Sequence, residues 1–145
     1  MIKYWICVCR EENYPYEKEI YGEECQWWKF WGESERKYSV CFELMREGDK
    51  VLCYEAKTHI FKAVLEVKDK FENNQKMILS FERKVGVPLD TITSKKHYQQ
   101  ILKLNNKDKY GKDKYAPFNE SQNNLLFGTY FATTKEQFEY ICSLV

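Results

Sequence analysis

Three kinds of side chain in this sequence can do chemistry: six cysteines, a large set of aromatic rings and a lysine-rich run. The cysteines are Cys7, Cys9, Cys25, Cys41, Cys53 and Cys142, and none has the C-x-x-C spacing of a zinc ribbon or a dithiol redox motif. A closed zinc site needs four convergent ligands, and His59 and His97 form no such cluster with the cysteines along the chain. No metal and no cofactor is therefore expected. The thiols are expected to be buried and reduced, as free cysteines generally are in a reducing compartment.

Aromatic residues make up 17% of the chain, with four Trp, eleven Tyr and nine Phe. A core of this size does not need so many rings, so some are expected to be exposed or to line a cavity. Exposed rings tend to mark contacts with flat ligands such as nucleobases. The densest group is Trp27-Trp28-Lys29-Phe30-Trp31-Gly32. Trp27 and Trp28 are consecutive, so at least one of them is expected to be exposed or in a cavity. The lysine run carries Lys103, Lys107, Lys109, Lys112 and Lys114 against Asp108 and Asp113. Together with Lys95, Lys96 and His97 it suits a phosphate backbone; the competing reading is a solvated lysine face.

The frame for these groups is small. A chain of 145 residues is expected to form one domain over 1–145, and 43% apolar residues are enough for a packed core. A net charge of +1 excludes a protein that coats polyanions by bulk charge, though not one with a local basic patch. No apolar run approaches the roughly 20 residues of a membrane helix. The opening MIKYWICVCREE is too short and too soon charged for a signal peptide, so a cytoplasmic location is expected.

Residues 3–9 alternate as a strand, with Tyr4, Ile6 and Val8 on one face and Trp5, Cys7 and Cys9 on the other. Both faces are apolar, which predicts a central strand. Residues 10–35 hold eight Glu and read as a long acidic loop. A short helix over 39–46 is expected to stop at the turn Glu47-Gly48-Asp49 and to feed a strand over 50–55. Strands follow over 58–67, with Phe61, Ala63, Leu65 and Val67 on one face, and over 76–84, with 85–92 continuing extended. A helix is read over 94–104, then a polar lysine-rich loop over 105–114. Thr133 is read as the N-cap of a final helix with Glu136 as its capping-box partner, burying Phe138, Ile141 and Val145. The class is α+β: a small, curved, mostly antiparallel sheet or barrel of about five to six strands with flanking helices.

The order of these features resembles the EVE domain of the PUA-like superfamily. Tyr4-Trp5-Ile6 resembles its opening signature, Glu12-Asn13-Tyr14 its Glu-Asn-aromatic segment, and Trp31-Gly32 the Trp-Gly that follows. Gly48-Asp49-Lys50-Val51-Leu52 with Tyr54 is similar to its Gly-Asp strand entry, and Ile60–Val67 to the next strand, ending in Glu66-Val67. Leu126-Phe127-Gly128 and the capped helix resemble the family's ending.

The resemblance implies a reader of modified bases, in DNA before RNA, working by base flipping into an aromatic pocket. It also implies a place as the targeting module of modification-dependent restriction, alongside an AAA+ GTPase/nuclease module as in McrB-type enzymes. The implied pocket walls are Trp5, Trp31 and Tyr54, then Trp28 and Trp27, with Asn13 and Asp49 bonding the base edge. Lys95, Lys96, Lys107, Lys109, Lys112 and Lys114 would follow the backbone. Flipping a base costs a few kcal/mol, and restacking on rings returns roughly 1–3 kcal/mol.

The domain itself is expected to be non-catalytic. No Walker or dinucleotide-type glycine loop is present, and Glu82-Arg83-Lys84 lacks the leading glycine of the hydrolase-like strand in related superfamily members. The alternatives are an RNA-binding or modified-nucleoside-processing protein of the same fold, or a protein-interaction module using the Trp27–Trp31 surface.

Overall fold

β1 (Tyr4–Cys9) has no polar face, and the fold gives it none to expose: it lies between β3 (Lys50–Glu55) and β8 (Tyr130–Thr133). Its alternate side chains enter two separate cores. Trp5, Cys7 and Cys9 join the first, and Ile6 joins the second with Tyr4 and Val8 packed at its margin. Burying each large apolar side chain contributes roughly 1.5–3 kcal/mol, so a strand apolar on both faces is driven to the interior.

The structure is a computed structural model that describes residues 1–10, 14–28, 39–71, 73, 75–120, 122–125 and 130–145. The remaining elements are β2 (Glu24–Trp28), α1 (Ser39–Leu44), β4 (Ile60–Phe71), β5 (Lys76–Pro88), α2 (Leu89–Ile92), α3 (Lys95–Lys103), β6 (Phe118–Asn119), β7 (Gln122–Leu125) and α4 (Lys135–Cys142). Six strands form one sheet in the order β2-β5-β4-β3-β1-β8, and β6 and β7 form a separate hairpin. β1 and β3 run parallel, and every other neighbouring pair is antiparallel. The sheet is thus curved, mixed and open, in the α+β class expected.

Bulges supply the curvature. The register slips once between β3 and β4 and three times between β4 and β5, and each slip bends and twists the strands. The two edge strands come close enough that the Tyr130 hydroxyl on β8 donates to the Trp28 carbonyl on β2. The first core fills this curl with Trp5, Trp27, Phe42, Met45, Leu79 and Tyr130. The second lies on the other face, where Leu89 and Ile92 of α2, Tyr98 and Ile101 of α3, and Phe138 and Ile141 of α4 cover Ile6, Leu52 and Phe61.

Several details depart from the sequence reading. Phe61 does not share a face with Ala63, Leu65 and Val67, because the bulge between Phe61 and Ala63 turns it to the second core. The acidic stretch contains a strand, β2, and its neighbours Gly22 and Glu23 extend the pairing to Phe81 (Gly22 N–H to the Phe81 carbonyl, 2.8 Å). The chain does not stay extended after Pro88 but turns into α2. The cap of α4 is Thr134, not Thr133: its hydroxyl accepts from the Gln137 N–H at 3.0 Å, and no reciprocal capping box forms because the Gln137 side chain bonds Ile101, Asn105 and Thr133 instead. α4 ends at Cys142 and Val145 is exposed.

Candidate nucleic-acid interface

The lysine-rich run folds back on itself as a short finger. At its root the Lys114 N–H donates to the Asn106 carbonyl at 2.7 Å. Further out, Lys107 and Asp113 form an isolated bridge, and the Asp108 N–H donates to the Lys112 carbonyl at 2.8 Å. Asp108 closes the tip: its carboxylate accepts from the N–H of Tyr110 at 2.8 Å and of Lys112 at 3.1 Å, and its carbonyl accepts from Gly111 at 3.0 Å. The turn needs a positive φ at position 111 (+82°), which glycine adopts without cost. Tyr110 stands at the tip with 75% of its surface exposed.

The root is fixed by buried amides. Asn105 donates to the Phe118 carbonyl at 3.1 Å, and its side-chain oxygen accepts from Gln137 at 2.8 Å. Gln137, wholly buried, also donates to the Ile101 carbonyl at 2.8 Å. Beyond the finger, the Tyr115 carbonyl accepts from the Ala132 N–H on β8 at 2.8 Å. The finger is therefore tied to α3, α4 and the sheet edge together.

Between the finger and the start of β1 lies a cleft of about 1110 Å³. Among the described residues, Lys3, Lys107, Lys109, Lys112 and Lys114 line it against two carboxylates, Asp108 and Asp113. Asp108 is engaged with backbone N–H groups, and Asp113 lies 3.7 Å from the Lys107 ammonium. In a chain of net charge +1, this is a strong local concentration of positive charge. Tyr4, half-buried, and Trp5, buried, also border it from successive positions of β1.

Trp5 is 3% exposed and its orientation is set by Asp49. One Asp49 oxygen accepts from the indole N–H at 3.0 Å and from the Arg46 N–H at 2.9 Å; the other accepts from the Lys3 N–H at 3.0 Å. Asp49 is itself buried, so its acceptors are committed to the chain and are not turned to a base edge. It acts as a positioning residue for Trp5 and Lys3.

The other residues named from sequence fall elsewhere. Tyr54 lies in the second core, on the opposite face of the sheet from Trp5; its hydroxyl bonds His59 Nδ1 at 3.0 Å and its ring lies 4.7 Å from that of Phe61. Burial, with Glu55 and Asp90 nearby, pushes its hydroxyl pKa up to about 12. Trp5 and Tyr54 therefore do not wall one pocket. Of the tryptophan pair, Trp27 points into the first core and donates to the Tyr16 hydroxyl at 3.3 Å. Trp28 points outward, 42% exposed, with the Lys76 ammonium 5.6 Å from its ring centre. Lys95 and Lys96 are exposed on the first turn of α3 and do not line the cleft. Trp31 and Asn13 lie outside the described residues. Thus Trp5, Lys107, Lys109, Lys112 and Lys114 are brought together. Lys3, Tyr4 and Tyr110 join them unforeseen, although an aromatic between Lys109 and Gly111 was a visible sign of a turn tip.

The cysteines are free thiols, and Cys7, Cys9, Cys41 and Cys53 are buried. Burial, then the neighbouring Cys41 and Cys9, push the Cys7 thiol well up; the contact with Cys9, 3.6 Å away, and burial do the same to Cys53. Thiols held this way are poor nucleophiles. Among the described residues, no helix is long and apolar enough to cross a membrane, and no group of His, Cys, Asp and Glu is placed to hold a metal.

The fold is a curved mixed sheet with α1 packed on one face and α2, α3 and α4 on the other. Solved structures share it over nearly the whole chain. Human THYN1, in complex with DNA containing 5-methylcytosine, matches with a TM-score of 0.61 at 13% identity, over 98% of this chain and 96% of that one. Rpa0253 from Rhodopseudomonas palustris matches with a TM-score of 0.61 at 11% identity, over 99% and 92%. Atu2648 from Agrobacterium tumefaciens matches with a TM-score of 0.58 at 14% identity, over 98% and 92%. At these identities the likeness shows the fold alone. No protein-family model matches the sequence, and no curated protein matches it.

Proposed function

We propose that this chain is a non-catalytic reader domain that binds DNA and recognises a modified, methylated base by taking it out of the stack. The observation that carries the reading is the cleft lined by four finger lysines and Lys3 and bordered by the aromatic residues Tyr4, Trp5 and Tyr110. Lysines along two limbs of a finger offer ammonium groups to a phosphate backbone and supply affinity without sequence preference. Of the aromatic residues at its border, the half-buried Tyr4 keeps free surface on which an extruded base would recover stacking, while the buried Trp5 does not. A methyl group adds apolar area worth about 0.8 kcal/mol on burial.

The fold shared with human THYN1, itself in complex with DNA containing 5-methylcytosine, favours DNA over RNA. The raised thiol pKa values support a binding role over a nucleophilic one. In the cell, the domain would direct a modification-dependent restriction system, with nucleotide hydrolysis and cleavage on an AAA+ GTPase/nuclease partner.

Fluorescence-anisotropy titration tests the reading. The probes are matched duplexes, unmodified or carrying 5-methylcytosine, 5-hydroxymethylcytosine, N4-methylcytosine or N6-methyladenine, with single-stranded RNA as a further arm. Tighter binding to one modified duplex is the expected result. Equal, weak, salt-sensitive binding to all duplexes would leave backbone contact only and remove the reader function.

A further inference from the structure

We propose that Tyr110 is a wedge: when the cleft engages a duplex, its ring enters the base stack and fills the gap left by the extruded base. This rests on the reading of the cleft as a duplex-binding surface. The inference comes from the finger's construction. A ring with 75% of its surface in water is held at the tip of a turn instead of being folded into either core. Its position is not left to a floppy loop. Asp108 fixes the tip through the Tyr110 and Lys112 N–H groups, and Asn105 and Gln137 fix the root.

A rigid presenting element is what insertion requires, because ordering a mobile loop during binding would consume the stacking gain. The charges agree with the geometry. Lys109 holds its ammonium 5.0 Å from the Tyr110 ring centre, and Lys107, Lys112 and Lys114 lie on the same finger. Phosphates meeting those lysines on either limb would bring the tip against the bases between them. Side chains that enter a base step in this way unstack and kink the duplex, and they stabilise a flipped state by replacing the lost neighbour. Tyr110 makes no part of either core, so its replacement leaves the fold intact.

The test compares wild type, Tyr110→Ala and Tyr110→Phe by anisotropy. Each of the four modified duplexes is offered intact and with the modified base facing an abasic site, where the stack is already broken. Tyr110→Ala is expected to weaken binding to the preferred intact duplex roughly tenfold or more, and to the abasic form within about twofold. Tyr110→Phe is expected to bind both as wild type does. Equal affinity of wild type and Tyr110→Ala for the intact duplex would overturn the wedge, and so would an equal loss on both forms, which marks an ordinary contact. A wild type that prefers no modified duplex would instead overturn the reader function, and the wedge with it.

Discussion

The indole N–H of Trp5 donates to the carboxylate of Asp49 across 3.0 Å, although 43 residues of chain separate the two. Trp5 opens the first strand, and Asp49 closes the turn that feeds the strand paired in parallel with it. Gly48 makes that turn with φ at +91°, and its N–H donates to the Val67 carbonyl at 2.9 Å. One buried carboxylate thereby fixes the ring beside the cleft, the backbone of Lys3 at the cleft's edge and the exit from α1.

Removing that carboxylate leaves three donors without their acceptor. Each unsatisfied buried donor costs about 1–3 kcal/mol. Only the indole is fully buried, since Lys3 and Arg46 are exposed residues, so Asp49→Ala is expected to lose about 1–3 kcal/mol in urea denaturation. Trp5→Phe, which keeps a ring and drops one donor, is expected to lose less. Equal stability of Asp49→Ala and wild type would show that the bonds contribute nothing net.

The finger lysines should report themselves through salt. Each phosphate contact contributes roughly −0.9 to the slope of log affinity against log salt for duplex DNA. Replacing Lys109, Lys112 and Lys114 with Gln is expected to make the slope shallower by up to about 2.7. Affinity for modified and unmodified duplexes should fall by the same factor, because phosphate contacts carry no base information. A slope unchanged in the triple variant would place the backbone elsewhere. Thermal stability should stay near wild type, since the replaced side chains are exposed.

How much of this was legible depended on whether a feature is local. β1 announced its central position through apolar residues on both faces, and α3 and α4 through helical periodicity. The lysine-rich run at 105–114 was recognisable as a polar loop, and its lysines as phosphate-contact candidates. What stayed hidden was set by pairing. Trp5 lies opposite Val51 and Tyr54 opposite Val8, so the register of two strands far apart in sequence puts Trp5 and Tyr54 on opposite faces. Nothing within either strand reveals that. Phe61 is misplaced by alternation for a similar reason, since a bulge adds a residue that no periodicity records. β2 was hidden because its five residues sit in an acidic stretch where only Cys25 and Trp27 turn inward. The cap of α4 moved by one residue because Thr133 and Thr134 are equivalent in pattern, and only the helix axis decides between them.

The root of the finger rests on Gln137, which gives both side-chain protons to buried acceptors, the Ile101 carbonyl and Asn105. Gln137→Ala takes a donor from the Asn105 side-chain oxygen and an acceptor from the Thr133 hydroxyl, while the Ile101 carbonyl keeps the Leu104 N–H. A loss of about 1–3 kcal/mol is expected. Because Asn105 then loses a partner at the base of the finger, binding should weaken as well, and hydrogen exchange at 106–114 should quicken before that of the sheet. Loss of stability with unchanged exchange in the finger would show that the amide serves the core alone.

The last prediction concerns acid. Glu55 is buried at the end of β3, where its carboxylate accepts from the Lys57 N–H at 3.1 Å, the Thr58 N–H at 2.6 Å and the Thr58 hydroxyl. Burial acts to raise its pKa, but the bonds from Thr58 and Lys57 and the charge of Lys62 outweigh it and hold the carboxyl below its usual range. A group depressed in the folded state contributes stability that is whole above its unfolded value, roughly 4.3, and is lost as pH falls through the lower folded value. Glu55→Gln is therefore expected to be less stable than wild type at neutral pH by about 1–3 kcal/mol. That gap should close as the solution is acidified below pH 4, as wild type protonates Glu55 and loses the same interactions. Denaturation midpoints of the two proteins measured across the acid range decide the matter: a gap that persists unchanged at low pH would mean that the charge on Glu55 does not hold the turn.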